Sequence, residues 1–387
     1  MKTTNLFINF LKKFDKNPFL IKFDGNEYLV GQGVPLFTVK FNKEISVKDL
    51  MASTSIALGE AYMKGDLEIE GDLYNALNCF LGQLGDFKTD ESLLKNLIFT
   101  STSKKNQKKE VTSHYDIGNN FYKLWLDDTM TYSCAYFENE NMTLNEAQNS
   151  KVDRTLKKLY LKPGMTLLDI GCGWGALLIK AAKEYGVKGM GITLSTEQYK
   201  AFNDKIKEEG LSDQLSVKLM DYRDLPQSDL SFDRVVSIGM LEHVGRKNYD
   251  LFLSCVNSVL KSKGLFLLHF ISALKEYPGD AWIKKYIFPG GVVPSLREIL
   301  NSCAEYNFYT LDVESLRRHY NKTLLSWDKN FNDNRNEIEH MMGSEFTRMW
   351  DLYLCACAAT FNNGIIDLHQ ILLSKGVNNE LPLTRWY

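Results

Sequence analysis

The stretch that decides the fold is Leu167-Leu168-Asp169-Ile170-Gly171-Cys172-Gly173-Trp174-Gly175. An apolar strand over residues 166–170 carries an acid near its end and runs into three alternating glycines. Good helix formers then occupy residues 176–185. Glycines permit a tight turn and let a ligand approach the backbone closely. This pattern predicts a strand, a ligand-binding turn and a helix in succession.

The same alternation of strands and helices continues along the chain. Further strands are predicted at 187–193, 215–220, 234–238 and 265–271, with a polar helix over roughly 195–209. Strands separated by helices of this length form a parallel sheet with helices on both faces. The sequence therefore predicts an α/β fold of the Rossmann-like type.

The glycine turn alone does not identify the ligand, because many nucleotide-binding folds share it. Its third glycine comes one residue earlier than in GxGxxG, and Thr193-Leu194-Ser195 stands where an NAD-binding fold would carry an acid. Both departures argue against NAD. The position of Asp169, directly before the glycines, suits the binding of an amine.

Polar residues also follow the later strands. Asp221-Tyr222-Arg223 follows the third strand, Gly239 to Gly245 follows the fourth, and His269 and Ile271 end the fifth. Because the carboxyl ends of parallel strands meet at one edge of a sheet, where such folds bind ligands, we expect these residues to lie close together.

Composition narrows the class of protein. The chain has 387 residues, 46 lysines and arginines, and 48 aspartates and glutamates, so its formal net charge is −2. This balance excludes a uniformly basic nucleic-acid-binding protein. Seven cysteines without a CxxC pair argue against a disulfide framework or a metal site and favour a cytoplasmic location. No apolar run is long enough to predict a transmembrane helix.

A polar segment divides the chain into two predicted domains. Residues 101–110 contain four lysines and no large apolar residue, which is typical of a linker. We predict an amino-terminal domain over residues 1–100, a linker over 101–110 and a second domain over 111–387.

An apolar helix face near the amino terminus has two interpretations. Five apolar residues share this face: Leu6, Phe7, Phe10, Leu11 and Phe14. The helix either docks on its own domain or lies on a membrane surface. Residues 1–48 contain eight lysines and four acids, a ratio that favours an anionic surface.

Several motifs, in order along the chain, resemble the cyclopropane-fatty-acyl-phospholipid synthase family, which uses S-adenosylmethionine. They are His114-Tyr115-Asp116-Ile117-Gly118-Asn119, Tyr132-Ser133-Cys134-Ala135-Tyr136, the glycine turn, Gly191-Ile192-Thr193-Leu194-Ser195 with Gln198, Asp221-Tyr222-Arg223-Asp224-Leu225, Gly239 to Gly245 with Asn248-Tyr249, Leu268-His269, Tyr286-Ile287-Phe288-Pro289 and Cys357-Ala358. The resemblance covers most of the chain and is looser before residue 100. It implies the S-adenosylmethionine-dependent methyltransferase fold, with a mostly parallel seven-stranded sheet and a smaller amino-terminal α+β lipid-binding domain.

The resemblance also implies a reaction. A methylene group passes from S-adenosylmethionine to the cis double bond of an unsaturated phospholipid acyl chain, through a carbocation that bound bicarbonate deprotonates. The residues that match the family's bicarbonate site are Cys134, Glu242, His269, Tyr320 and the backbone of Ile271. A carboxylate repels a neighbouring anion, so we expect Glu242 to accept the hydroxyl hydrogen of the ion.

The resemblance assigns the cofactor residues as well. Asp169, Gly171 and Gly173 are expected at the methionine part, with Tyr132 and Ser133 closing over it. The remaining residues are expected at the nucleoside: Thr193, Leu194 and Gln198 at the ribose, and Asp221 and Tyr222 at the adenine.

Two alternatives stay open. The chain could be a relative that stops at methyl transfer or hydrates the cation, or a lipid-binding protein with an inactive site. The presence of all four polar side chains of the bicarbonate site favours ring closure. Because the substrate lies in a bilayer, we expect transient peripheral binding to the phospholipid surface at the inner face of the cytoplasmic membrane. The resemblance also suggests a homodimer, and we expect no nucleic-acid partner.

Overall fold

A computed structural model describes residues 8–84, 117–385 and 387, and in it the chain forms two compact units. The first unit consists of the described part of Met1–Ile98 with Pro278–Pro289 and Leu324–Ile365. The second consists of the described part of Phe99–Tyr277 with Gly290–Thr323 and Ile366–Tyr387. The predicted linker over residues 101–110 lies outside the described residues.

The amino-terminal part of the first unit is a four-stranded sheet with helices. Its strands are β1 (Phe19–Phe23), β2 (Asn26–Val30), β3 (Thr38–Phe41) and β4 (Leu67–Glu70), in the order β2-β1-β3-β4. β1 is antiparallel to β2 and parallel to β3, and β4 is antiparallel to β3. The helices that lie wholly within its described residues are α1 (Val47–Ala52), α2 (Thr54–Met63) and α3 (Leu73–Leu81).

Most of the described part of the amino-terminal apolar face is buried in the first unit. Ile8, Leu11 and Phe14 belong to its hydrophobic core with residues of β1 and β3, whereas Phe10 is 39% exposed. This arrangement supports docking of the helix face on its own unit. Leu6 and Phe7 lie outside the described residues.

The second unit is built on a seven-stranded sheet. Its strands are β5 (Thr166–Ile170), β6 (Lys188–Thr193), β7 (Leu215–Leu219), β8 (Phe232–Ile238), β9 (Leu260–Ser272), β10 (Phe308–Ser315) and β11 (Asp367–Lys375). The strand order is β10-β11-β9-β8-β5-β6-β7, and β11 is antiparallel to both of its neighbours while the pairs from β9 to β7 are parallel. The predicted mostly parallel seven-stranded sheet is confirmed.

The helices of the second unit alternate with the strands as predicted. They include α4 (Asn119–Lys123), α5 (Leu144–Lys158), α6 (Ala176–Tyr185), α7 (Thr196–Glu208) and α8 (Tyr249–Val259). An apolar core lies on each face of the sheet. One core contains residues of α8, and the other contains residues of α5, α6 and α7. The chain adds β6 and β7 on one side of β5 and then returns to add β8 on the other. This reversal opens a crevice at the carboxyl ends of β5 and β8.

After β9 the chain alternates between the units. α9 (Ala281–Tyr286) lies in the first unit and α10 (Leu296–Glu305) in the second. The division between the units falls within α11 (Arg317–Asp333), and α12 (Arg335–Met342) and α13 (Ser344–Asn362) lie in the first unit. No helix in the described residues is long and apolar enough to cross a membrane.

The structure thus divides the chain differently from the predicted domain over residues 111–387. α13 packs against α2 and α3. The Arg348 guanidinium donates hydrogen bonds to the carbonyls of Tyr62 (2.5 Å) and Leu67 (3.1 Å), and the side-chain amide of Asn363 donates to Asn78 Oδ1 (2.8 Å). Through these contacts, residues 324–365 complete the first unit. The prediction missed this because the contacting residues are distant from one another in sequence.

The turn after β5 has room only for glycine at its last position. Gly175 has a φ of 85°, and a Cβ there would lie 2.1 Å from the Phe202 ring. We expect Gly175→Ala to lower the free energy of unfolding by about 2–4 kcal/mol, from backbone strain and overpacking together. Urea unfolding of the full chain measures the loss.

Gly210→Ala is the matched control. Gly210 also has a positive φ (65°), but a Cβ there would have no neighbour within 4 Å. We expect a loss of about 1–2 kcal/mol from backbone strain alone. Equal losses for the two variants would contradict the packing argument at Phe202.

Candidate active site

A cavity opens at the carboxyl ends of the parallel strands in the second unit. Together with its open mouth it encloses about 1170 Å³. The structure brings all ten predicted cofactor residues to its wall: Tyr132, Ser133, Asp169, Gly171, Gly173, Thr193, Leu194, Gln198, Asp221 and Tyr222. These residues come from four separate segments, and three of the segments follow strands whose carboxyl ends meet at the crevice.

The glycine turn forms the floor of this cavity. Gly171 and Gly173 have φ values of 83° and 55°, in the left-handed region that favours glycine. A Cβ at Gly173 would meet no atom within 4 Å, so the turn leaves open space beside its backbone. This space allows a ligand to contact the backbone directly.

The two acids of the cavity wall differ in their partners. Asp221 accepts two hydrogen bonds from the Arg223 guanidinium, at 2.8 and 2.6 Å. Asp169 is the penultimate residue of β5 and has 4% of its surface exposed. Burial raises its pKa to about 7 despite the opposing charge of Lys151. A buried carboxylate with so few partners is suited to bind a cationic group.

The segment at the start of α7 is ordered by its own side chains. Thr193 Oγ1 donates to Gln198 Oε1 at 2.8 Å and accepts from the Ser195 amide at 3.1 Å. Ser195 Oγ in turn caps α7 by accepting from the Gln198 amide. The predicted ribose residues are therefore held together before any ligand binds.

Two residues of α5 that bind the Thr131–Ser133 segment of the cavity wall escaped the sequence prediction. The Gln148 side-chain amide donates to the carbonyls of Thr131 (3.1 Å) and Ser133 (2.8 Å), and the Lys151 ammonium donates to Ser133 Oγ (2.9 Å). The signal was available, because the polar residues Gln148, Lys151 and Thr155 recur at spacings of three and four, which places them on one helix face. All three are buried.

Glu242 follows β8 in the short 3₁₀ turn Leu241–His243. Its Oε1 accepts a hydrogen bond of 2.6 Å from the Ile271 amide, whereas Oε2 is buried without a hydrogen-bond partner among the described residues. Burial raises the pKa of Glu242 to about 7. The Ile271 amide, which is predicted to donate to a bound ion, donates to Glu242 in this structure and so positions that carboxylate.

His269 lies on β9 directly opposite Gln370 of β11. Gln370 Nε2 is 3.4 Å from His269 Nδ1 and 3.5 Å from Thr155 Oγ1. Because the Thr155 hydroxyl donates to the Lys151 carbonyl (2.8 Å), its oxygen is an acceptor for the Gln370 amide. The same amide then donates to Nδ1, so the imidazole carries its proton on Nε2.

The Nε2 atom of His269 is buried and has no hydrogen-bond partner among the described residues. Burial, together with the ammonium groups of Lys151 and Lys158, lowers the pKa of His269 well below its usual value. The ring is therefore neutral at physiological pH and presents an N–H donor. Glu242 Oε2 and His269 Nε2 are thus two buried polar atoms that still need partners.

The Cys134 thiol and the backbone amide of Tyr320 both approach the Leu316 carbonyl, directly before α11. Cys134 is fully buried, with Sγ 3.2 Å from the Ala135 carbonyl and 3.9 Å from the Leu316 carbonyl, which also accepts from the Tyr320 amide (3.0 Å). Burial raises the pKa of the Cys134 thiol, so it stays protonated and is not a nucleophile. None of the five predicted catalytic residues lines the cavity itself, but Ser133 and His243, next to Cys134 and Glu242 in sequence, do.

The strand order, the glycine turn and this cavity define an S-adenosylmethionine-dependent methyltransferase. Residues 102–371 match the family described as mycolic acid cyclopropane synthetase, and residues 6–92 match a domain family described as of unknown function. The chain belongs to the mycolic acid cyclopropane synthetase family.

Three proteins illustrate the similarity. A probable fatty acid methyltransferase of Pseudomonas putida is 39% identical over 94% of this chain and 93% of its own length. The cyclopropane-fatty-acyl-phospholipid synthase of Escherichia coli K12 is 40% identical over 87% of this chain and 88% of its own. The crystal structure of mycolic acid cyclopropane synthase CmaA1 with SAH and CTAB has a TM-score of 0.66 and 37% identity, covering 69% of this chain and 98% of that one.

The raised pKa of Asp169 predicts how cofactor binding depends on pH. We expect Asp169 to bind the cofactor's ammonium group only as the ionised carboxylate, and below about pH 7 this carboxylate takes up a proton. We expect the affinity for S-adenosylhomocysteine to fall by up to about tenfold per pH unit below that value. Calorimetric titrations at several pH values measure this slope.

Two controls isolate the effect. 5′-Methylthioadenosine lacks the amino acid part, so its affinity should not follow the ionisation of Asp169. Asp169→Asn should bind S-adenosylhomocysteine weakly and without this pH dependence. The same slope in Asp169→Asn would show that another group is responsible.

Proposed function

We propose that the protein is a cyclopropane synthase that transfers a methylene group from S-adenosylmethionine to the cis double bond of an unsaturated phospholipid acyl chain. Family membership and the similarity to the E. coli phospholipid enzyme support this proposal. The observation that carries it is the pair of buried, unpartnered polar atoms, Glu242 Oε2 and His269 Nε2. Simple methyl transfer to an amine requires no such pair.

Bicarbonate fits this pair by its hydrogen-bonding groups. The Glu242 carboxylate accepts a hydroxyl hydrogen, and the neutral His269 donates its Nε2–H to an oxygen. Neither atom has a hydrogen-bond partner among the described residues, and leaving buried polar atoms without partners is costly. Tyr320 is proposed as a further donor, and Cys134 as a weak donor that also closes the site. When bound, bicarbonate would supply a base for the proton lost during ring closure.

The residues of the chain meet the other demands of the reaction. The alkene attacks the methyl carbon of the sulfonium, the S–C bond breaks, and the cation loses a proton from the new methyl group as the ring closes. Water would trap this cation as an alcohol. Cys134 and His269 are buried, and the Oε2 atom of Glu242 is inaccessible to solvent, which keeps water from the reacting centre.

Product analysis tests the proposal. The purified full chain is incubated with S-adenosylmethionine and vesicles that contain an unsaturated phospholipid, and the lipids are examined by mass spectrometry and proton NMR. We expect a gain of CH₂ with loss of the alkene signals and appearance of cyclopropane signals. Absence of any mass change, with S-adenosylhomocysteine still bound, would contradict the proposal and favour an inactive lipid-binding protein.

A methyltransferase that does not close the ring is the second candidate. It is favoured by the similarity to the P. putida protein named a probable fatty acid methyltransferase. That activity would add CH₂ with the alkene retained, and hydration of the cation would add the elements of methanol. The same spectra separate all three outcomes.

Glu242→Gln tests the proposed ion site. The amide keeps the shape of the side chain but is a poor acceptor for a hydroxyl hydrogen, so we expect turnover to fall by at least about 100-fold. Affinity for S-adenosylhomocysteine should stay unchanged, because Glu242 does not line the cofactor cavity. Glu305→Gln, an exposed change on α10, is the matched control. Full turnover of Glu242→Gln would contradict the role of Glu242.

We propose that the first unit binds the membrane surface peripherally, at the cytoplasmic face. Three apolar side chains on or after β2 are exposed: Leu29 (54%), Val34 (83%) and Leu36 (59%). Exposed apolar residues grouped in this way are typical of interaction sites. The basic residues Lys12, Lys13 and Lys48 are also exposed on this unit.

Ion pairs reduce the charge available to the membrane. Three of the lysines bind acids of β4 and its neighbour: Lys22 with Glu70, Lys40 with Glu68 and Lys43 with Asp66. The predicted lysine excess is therefore partly neutralised within the unit. We propose that a weak electrostatic attraction to the membrane acts together with the exposed apolar side chains.

We also propose that the protein is a homodimer. Light scattering of the purified full chain measures its oligomeric state.

Binding to vesicles should depend on both contributions. We expect affinity for anionic phospholipid vesicles to fall as salt is raised. The double variant Val34→Ser, Leu36→Ser should weaken the binding that remains at high salt. Leu274→Ser, which removes an apolar side chain that is 88% exposed on the second unit, is the control. A double variant that binds like the control would contradict the assignment of this surface.

A further inference from the structure

The charges on the cavity wall are not all paired. Among the described lining residues, Lys151 and Arg223 are the basic groups and Asp169 and Asp221 the acidic ones. Arg223 and Asp221 form a bidentate ion pair, with their closest contact at 2.6 Å. No ion pair within the described residues joins Lys151 to Asp169, although both line the same cavity. One positive and one negative group thus face the cavity separately.

Lys151 is an unusual lysine. Only 4% of its surface is exposed, and the hydrogen-bond partner of its ammonium among the described residues is the neutral Ser133 hydroxyl at 2.9 Å. An ammonium has three N–H donors, so two remain to be satisfied. Burial lowers its pKa to about 8, which leaves it charged at neutral pH. A buried cation of this kind is costly unless an anion reaches it.

The position of Lys151 indicates which anion binds its ammonium group. Its bond to Ser133 holds the ammonium beside Tyr132 and Ser133, the residues expected at the methionine end of the cofactor. Asp169 provides the opposite charge on the same wall. A free amino acid group is a zwitterion that presents one ammonium and one carboxylate. Lys151 and Asp169 therefore have the charges needed to bind the carboxylate and the ammonium of such a group.

We infer that Lys151 binds the α-carboxylate of the methionine part of S-adenosylmethionine, while Asp169 binds its ammonium. The inference rests on the cofactor of the proposed function and is independent of the acceptor substrate. Lys151 is thus a cofactor-binding residue that the sequence motifs do not contain. A purely structural lysine that only tethers Ser133 would affect every ligand of the cavity equally.

The test compares two ligands that differ in the carboxylate. Calorimetry measures the affinity of the full chain for S-adenosylhomocysteine and for its decarboxylated analogue, which keeps the amine. We expect the wild-type protein to bind the decarboxylated analogue about 10-fold to 100-fold more weakly. Lys151→Met should lose a similar factor for S-adenosylhomocysteine and change little for the analogue.

Several variants separate binding from folding. Lys157→Met removes a lysine from the exposed side of α5 and should leave both affinities unchanged. Asp169→Asn should weaken both ligands, because both carry the amine. Thermal unfolding without ligand monitors the fold of each variant. If Lys151→Met does not fold, equal affinity of the wild-type protein for the two ligands would still overturn the inference.

Three outcomes would overturn the inference. They are equal weakening of both ligands in folded Lys151→Met, unchanged binding of S-adenosylhomocysteine in that variant, and no discrimination by the wild-type protein. None of these depends on which lipid product forms. A failure of ring closure with the expected ligand pattern would overturn the proposed reaction and leave the role of Lys151 intact.

Discussion

The second unit depends on close backbone packing at the turn after β5. A Cβ at Gly175 would lie 2.1 Å from the Phe202 ring, and a Cβ at Gly191 would lie 2.6 Å from Cys172 Sγ. Because these positions carry no side chain, α7 and β6 pack directly against the turn, and α6 begins immediately beyond it. The same turn leaves its other side open as the floor of the cavity. One steric constraint therefore determines both the packing of the sheet edge and the space for the cofactor.

Around that space the fold keeps several polar groups buried and incompletely paired. Burial raises the pKa values of Asp169 and Glu242 to about 7 and lowers that of His269. Such groups destabilise a protein unless a ligand completes their hydrogen bonds. Asp169 lies on the cavity wall, whereas Glu242 and His269 lie at the ends of β8 and β9 and do not line the cavity. Two separate places are what a reaction with both a cofactor and a base requires. In the proposed function, the groups on the cavity wall would bind the cofactor and those at the strand ends would serve catalysis.

Local patterns predicted much of the second unit. The strand at 166–170 and the helix at 176–185 were placed at their observed residues, since apolar runs bounded by glycines depend only on nearby sequence. The ten cofactor residues and the seven-stranded sheet came from the family resemblance together with the order of strand ends. Residue pattern alone did not reveal β10 and β11, because 51 residues of largely helical chain separate Ser315 from Asp367.

The sequence by itself determined the α/β class, the glycine turn and the residues collected at the carboxyl edge. These follow from local periodicity and from the rule that parallel strands present their carboxyl ends together. Only the tertiary structure decided that α13 completes the first unit, that the Ile271 amide binds Glu242, and that Lys151 faces the cavity without an acidic partner. Each of these depends on contacts between residues distant in the chain, and burial or pairing of charge is a property of such contacts rather than of residue type.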